Sequence, residues 1–210
     1  MRLAFAALVL AGTGVAAIQA PAGAVPDLSA GTPPGGANRQ VRLVLRPAPA
    51  HAIKPIPGFK MNAVVWFHIQ NLADARFCLD ADTRTMGAQS TKVQMYACNW
   101  GAANQMWAQA RDTAGVLHLL NAGRQVPKCL DADTLTLGGN GTKVQLWECT
   151  TGARNQGWQF EMDSSAYWHL RVDVSPRRSL DADKKTLGRN ESLVHLWDHT
   201  PGASNQGWIT

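Results

Sequence analysis

CLDADTLTLGGNGTKVQLWECTTGARNQGW, Cys129 to Trp158, decides the fold, because two other stretches can be laid over it without a gap. They begin at Cys78 and at Ser179. In every copy the Leu of LDAD stands 28 residues before the closing Trp: Leu79 to Trp107, Leu130 to Trp158, Leu180 to Trp208. Twelve of the thirty columns are identical in all three. Self-similarity with a period of about 50 residues means one supersecondary unit used three times, none able to bury its apolar face alone.

Each unit reads as short strands parted by turns. It opens on an apolar strand (Trp66-Phe67-His68-Ile69, Leu117-His118-Leu119 or Tyr167-Trp168-His169-Leu170) and continues with the LDAD strand. A Gly/Asn/Ser-rich turn follows (GAQST, GGNGT, GRNES), then a strand of the form Val-x-x-aromatic, then a Gly-Ala turn and NQxW. Strands at such regular spacing, with no sustained helical periodicity, predict an all-β domain, a sandwich or a barrel.

Strand alternation assigns faces. In Val144-Gln145-Leu146-Trp147 the apolar pair takes the core and leaves Gln145 beside Trp147 on the outer face; repeat one does the same with Gln94 and Tyr96. Leu130 inward puts Asp131 outward, and Asn155 is out of phase with an inward Trp158. A carboxylate, an amide and a flat aromatic ring around one shallow depression suit a neutral sugar: the acid accepts from hydroxyls, the amides donate and accept, and the ring covers the C–H face of the pyranose. The same alternation expects His68, His118 and His169 to face outward on separate lobes, too far apart for a shared metal.

These residues carry a family resemblance. The pattern CLD…VQLW…C…NQxW resembles the ricin B-chain type lectins, also classed as family 13 carbohydrate-binding modules, whose repeated QxW is seen here as Gln105-Met106-Trp107, Gln156-Gly157-Trp158 and Gln206-Gly207-Trp208. It covers residues 65–210 and implies a β-trefoil with pseudo-threefold symmetry and up to three shallow sugar sites. Carried over, the sugar-contacting set in the second repeat is Asp131, Gln145, Trp147 and Asn155, with Gln156 bracing the acid. In the first it is Asp80, Gln94, Tyr96, Asn104 and Gln105. In the third it is Asp181, His195, Trp197, Asn205 and Gln206, where His195 departs from the usual Gln and adds a titratable group. The implied partners are galactosides or xylan-like polymers, with no cofactor and no metal.

Cys78, Cys98, Cys129 and Cys149 share one spacing in repeats one and two, while Ser179 and His199 fill both columns of repeat three. Loss of both partners together favours the pairs Cys78 to Cys98 and Cys129 to Cys149 over the two other connectivities. Such bridges belong outside the reducing cytosol. Zinc would want short Cys-x-x-Cys clusters, which are missing. The N-terminus agrees with export: Arg2, an apolar run to Ile18 and a small-residue site at Ala22-Gly23-Ala24 predict a signal peptide over residues 1–24, with an uncleaved anchor as the alternative. A secreted or envelope-associated chain follows.

Residues 25–64 read as a Pro-rich linker or arm, extended and weakly ordered, with seven of the eleven prolines before Lys60. Within it Val41 to Leu45 alternates as a strand or spacer would, and the arm is a candidate contact for a protein partner. Of the net charge of +5, the excess lies in this arm and at Arg2; the remainder carries 14 basic and 14 acidic residues, so the repeats lack a nucleic-acid footprint. The DAD triplets fail as calcium loops, since Thr91, Thr142 or Ser192 stands where the twelfth-position Glu belongs. A glycosidase needs one constellation of two carboxylates, whereas these acids are triplicated, so no enzyme is expected. Two readings of other kinds remain: a protein-binding or inhibitory trefoil, and a targeting subunit for a separate glycoside hydrolase.

Overall fold

The computed structural model describes Pro49 and residues 51–61 and 64–210. The expected leader and the Val41 to Leu45 piece lie outside the described residues. Within them there are thirteen β-strands and three single-turn 3-10 helices, and no helix is long and apolar enough to cross a membrane.

The LDAD segments form three hairpins: β3 (Phe77–Ala81) with β4 (Thr91–Ala97), β7 (Lys128–Ala132) with β8 (Thr142–Trp147), and β11 (Ser179–Ala182) with β12 (Ser192–Trp197). Registers repeat, with Leu79 opposite Met95, Leu130 opposite Leu146 and Leu180 opposite Leu196. Each turn is locked by a hydroxyl at the start of its second strand; Thr142 Oγ1 donates to the carbonyls of Thr136 and Gly139 at 2.9 and 2.8 Å, and Thr91 and Ser192 make the matching bonds. The three second strands then pair with one another in a closed triangle, β4 with β8, β8 with β12 and β12 with β4.

The remaining strands build the wall: β2 (Gln70–Asn71), β5 (Trp107–Asp112), β6 (Leu117–Asn121), β9 (Trp158–Met162), β10 (Trp168–Val172) and β13 (Trp208–Ile209). Pairs β5–β6 and β9–β10 are antiparallel hairpins, and β13 returns to β2, so the end of the chain closes the ring. Bridges Phe67–Trp107, His118–Gly157 and His169–Gly207 each join the opening strand of a repeat to its closing QxW. This is a β-trefoil. Trp107, Trp158 and Trp208 are buried on its axis side, and each indole N–H finds the partner that a buried indole needs, donating to the carbonyl of Leu79, Leu130 or Leu180 at 2.9, 2.8 and 3.1 Å. Ile69, Leu119 and Leu170, then Val93, Val144 and Val194, fill the same core in threes.

Disulfides join Cys78 to Cys98 and Cys129 to Cys149, as the repeat comparison predicts. In the third repeat a 2.9 Å hydrogen bond between Ser179 Oγ and His199 Nδ1 occupies that place.

Two expectations change. The strand histidines are not outward in solvent: His68, His118 and His169 are all buried. The Gly-Ala loop of the same repeat folds over each: His68 meets Trp100 edge-on with Nε2 3.3 Å from the Asn99 carbonyl oxygen, and the loops at Gly152 and Gly202 cover the other two. His118 Nε2 lies 3.0 Å from Asp112 Oδ2, which also accepts from the Gly152 N–H at 2.6 Å; His169, Asp163 and Gly202 repeat the arrangement.

The arm also differs from its Pro-rich composition in its described part. β1 (Phe59–Lys60) pairs with β5, and Ile53, Ile56 and Met61 pack with Trp66, Met106, Ala108, Ala110 and Ala122. Small residues make that bed. Ala108 and Ala110 stand where repeat two has Gln159 and Glu161, and the Met106/Ala122 pair stands where the others have Gly157/Asp173 and Gly207/Leu72. At Gly157 a Cβ would come within 2.8 Å of Val116 and 3.0 Å of Asp173, so the large side chain sits on the opposite strand there.

Candidate functional site

Each LDAD hairpin presents one carboxylate at its base and one aromatic ring at its rim, two registers apart. Asp131 lies opposite Gln145, and Cys129 lies opposite Trp147. The acid is only 4 % exposed because three amides close over it: Gln145 Nε2 donates to Oδ1 at 3.1 Å, while Asn155 Nδ2 and Gln156 Nε2 donate to Oδ2 at 2.9 and 3.0 Å. The single turn of 3-10 helix Arg154–Gln156 delivers the last two from one loop. Gln156 is itself held at both ends, accepting from the Thr150 N–H and donating to the Glu148 carbonyl. Trp147, by contrast, is 36 % exposed.

Repeat one reproduces this with Asp80, Gln94, Asn104 and Gln105 at 3.1, 2.7 and 2.9 Å, and with Tyr96 37 % exposed. It opens into a depression of about 330 Å³. Repeat three does so with Asp181, Asn205 and Gln206, both amides at 2.9 Å, and with His195 Nε2 3.2 Å from Asp181 Oδ1. The His195 ring stacks on Trp197, which is 41 % exposed, at a centroid distance of 5.1 Å. All fifteen residues proposed from the sequence thus fall into three like clusters. One detail was not foreseen: Gln94, Gln145 and His195 are buried over their acids rather than free at the surface, because all three bond to the carboxylate beneath them.

Burial pushes the Asp80 and Asp131 carboxyls above the ordinary range, against the amide hydrogen bonds that oppose it. The acids are poised as acceptors with fixed geometry, and a hydroxyl-rich ligand has to fit lone pairs already directed by the amides.

Sequence reasoning within one repeat missed the far wall of each depression. It comes from the neighbouring repeat, at the column of Ser90, Gly141 and Glu191. Ser90 Oγ donates to Gln145 Oε1 at 2.5 Å and is held by Lys143 Nζ. Glu191 pairs with Arg84 at 2.9 Å beside Asp80, and both line the first depression. Gly141, with no side chain, donates its N–H to the Leu196 carbonyl near the third. The varied identities in this column were the available signal, but only the triangular pairing of β4, β8 and β12 shows whose site each residue borders.

The profile of the ricin-type beta-trefoil lectin domain matches residues 65–208. The chain belongs to this family. A ricin-type trefoil is a non-catalytic domain, and its outline recurs in solved structures. The designed threefold-symmetric protein ThreeFoil is 20 % identical with a TM-score of 0.56, the match covering 69 % of this chain and 96 % of that one. The ricin B-like lectin of Macrolepiota procera, solved in complex with lactose, is 16 % identical with a TM-score of 0.55, covering 71 % and 96 %. A mosquitocidal holotoxin is 20 % identical with a TM-score of 0.57, but the 71 % of this chain that matches spans only 17 % of that protein. No match emerges among characterised proteins compared by sequence. The structural likenesses establish the trefoil, and the internal repeats establish which residues share a place in it.

Proposed function

We propose that this ricin-type trefoil binds galactose-type or xylose-type glycans through Asp80, Asp131 and Asp181, each acting with its own amides and aromatic ring, on a chain exported from the cell. The observation that carries this reading is the threefold recurrence of one arrangement: a carboxylate clamped by Gln or His, Asn and Gln amides under an aromatic side chain left more than a third exposed. A fold alone needs no exposed Tyr96, Trp147 and Trp197 over three oriented acids; a pyranose uses both parts. The lactose complex of the Macrolepiota lectin, on the same fold, is consistent with a galactoside. Three weak sites on one rigid body favour polymers through effective concentration.

The test is a glycan array probed with the exported chain, repeated with free galactose, lactose and xylose in millimolar excess. Selective binding that a free sugar displaces is the expected result. A folded, disulfide-intact protein that binds no glycan overturns it, and the trefoil then serves as a protein-binding module.

A further inference from the structure

A groove of about 550 Å³ runs between the β5–β6 and β9–β10 hairpins and shares no residue with the three carboxylate clusters. That volume is in the range of small-ligand sites. Its lining is mixed in a particular way. Arg111 donates through Nη1 to the Gly115 carbonyl at 3.0 Å, and among the described residues its other donors meet no carboxylate. Arg154 reaches Asp173 with Nη1 at 2.6 Å while its side chain stays 67 % exposed. Half-buried Trp168 and Phe160 form an aromatic wall, and the rim is completed by Asp173 and the exposed amides of Gln109 and Gln159, the latter donating to Asp173 Oδ1 at 3.4 Å.

The threefold repeat supplies an internal control. The column of Arg154 holds Ala103 and Ser204 in the other repeats, that of Asp173 holds Ala122 and Leu72, and that of Arg111 holds Met162 in repeat two. Neutral residues therefore satisfy the fold at every one of these places, and the two guanidinium groups with their aromatic wall occur together in one groove out of three. A cation with unused donors beside an indole face and two amides has no structural duty here that an alanine or methionine elsewhere does not perform.

We propose that this groove is a second kind of glycan site, for a sugar unit that bears a carboxylate. Arg111 receives the carboxylate in a forked pair of hydrogen bonds, while Arg154 offsets the charge of Asp173, the one acid in the lining. The Trp168 ring covers the apolar face of the sugar, and Gln109 and Gln159 exchange hydrogen bonds with its hydroxyls. The assignment is independent of the carboxylate clusters, whose acids would repel such a sugar.

Trigalacturonate and the neutral galactotriose, titrated into the full exported chain by calorimetry, test it. Trigalacturonate is expected to bind, with affinity about tenfold lower in Arg111→Ala and in Trp168→Ala and falling with added salt. Trp147→Ala is expected to leave it unchanged. Arg111→Lys, which keeps the charge and loses the fork, should fall between, and Trp168→Phe serves where the alanine variant does not fold. Galactotriose held at the carboxylate clusters is insensitive to Arg111→Ala, so the groove is read from trigalacturonate: no binding of it, binding that Arg111→Ala leaves unchanged, or loss of binding in Trp147→Ala would each overturn the proposal. None of these results depends on whether the neutral-sugar sites are active.

Discussion

Asp131 and Trp147 belong to one cluster but do different physical work. The carboxylate is the shared acceptor of Gln145, Asn155 and Gln156, and two of those amides have a second acceptor, the Ala132 and Glu148 carbonyls. Removing it strips charge-assisted bonds from buried donors, so Asp131→Ala is expected to cost about 2–4 kcal/mol of stability as well as sugar binding. Trp147→Ala exposes little and leaves those amides paired; it should lose glycan affinity while stability changes by less than about 1 kcal/mol. Urea unfolding of both variants beside glycan binding checks this, and a Trp147→Ala protein with wild-type affinity would remove that ring from the site. The strand period placed Asp131 and Trp147 on one face from the sequence. It did not show that Gln145 closes over the acid, since alternation gives direction and says nothing of cover.

At the scale of single elements, the β5–β6 and β9–β10 hairpins are pinned to the next loop by buried Asp–His pairs. Burial holds the His118 imidazole below its usual range, with Asp112 opposing; burial also holds His199 down, reinforced by neighbouring His169 and Arg171. A ring whose folded-state pKa is depressed binds its proton more readily when unfolded, so acidification below about pH 6.5 favours unfolding. Asp112 and Asp163 act lower down: burial opposes their charge, but the Gly152 and Gly202 N–H groups and the paired rings outweigh it and depress both carboxyls. Their contribution is present above about pH 4 and is lost as the pH falls further. The melting temperature should therefore drop between pH 7.5 and 5.5, and His199→Asn should make that slope shallower. A flat profile through this window, followed by calorimetry, would show that neither ring titrates there. None of this was visible in the strand pattern, because the loop that buries each histidine starts about 30 residues further along the chain.

At the scale of the whole molecule, closure depends on the two ends of the described chain. β13 pairs with β2, and the arm lays β1 against β5 over Trp66, Met106 and the alanines of repeat one. Deleting the chain through residue 64 uncovers that apolar bed. The loss of buried Ile56, half-buried Phe59 and their contacts is on the order of 3 kcal/mol, a fall of roughly 5–10 °C in melting temperature for a domain of this size, with glycan binding retained. Calorimetry of the truncated trefoil is the check; an unchanged transition would mean that the arm covers the repeat without stabilising it.

The sequence by itself determined the threefold unit, its strands, its disulfide pairs and the shared face of each acid and its ring, and the family resemblance completed the membership of each carboxylate cluster. It could do so because three copies under one spacing expose the columns that the fold requires, and because the strand period is short enough to read locally. Tertiary structure alone decided what lies between copies: the neighbour's Ser90 or Glu191 at the rim of a site, the burial of His118 and His169, the bed for the arm, and the arginine-lined groove between hairpins. These features join residues separated by tens of positions, and no local period records which surfaces meet once the ring has closed.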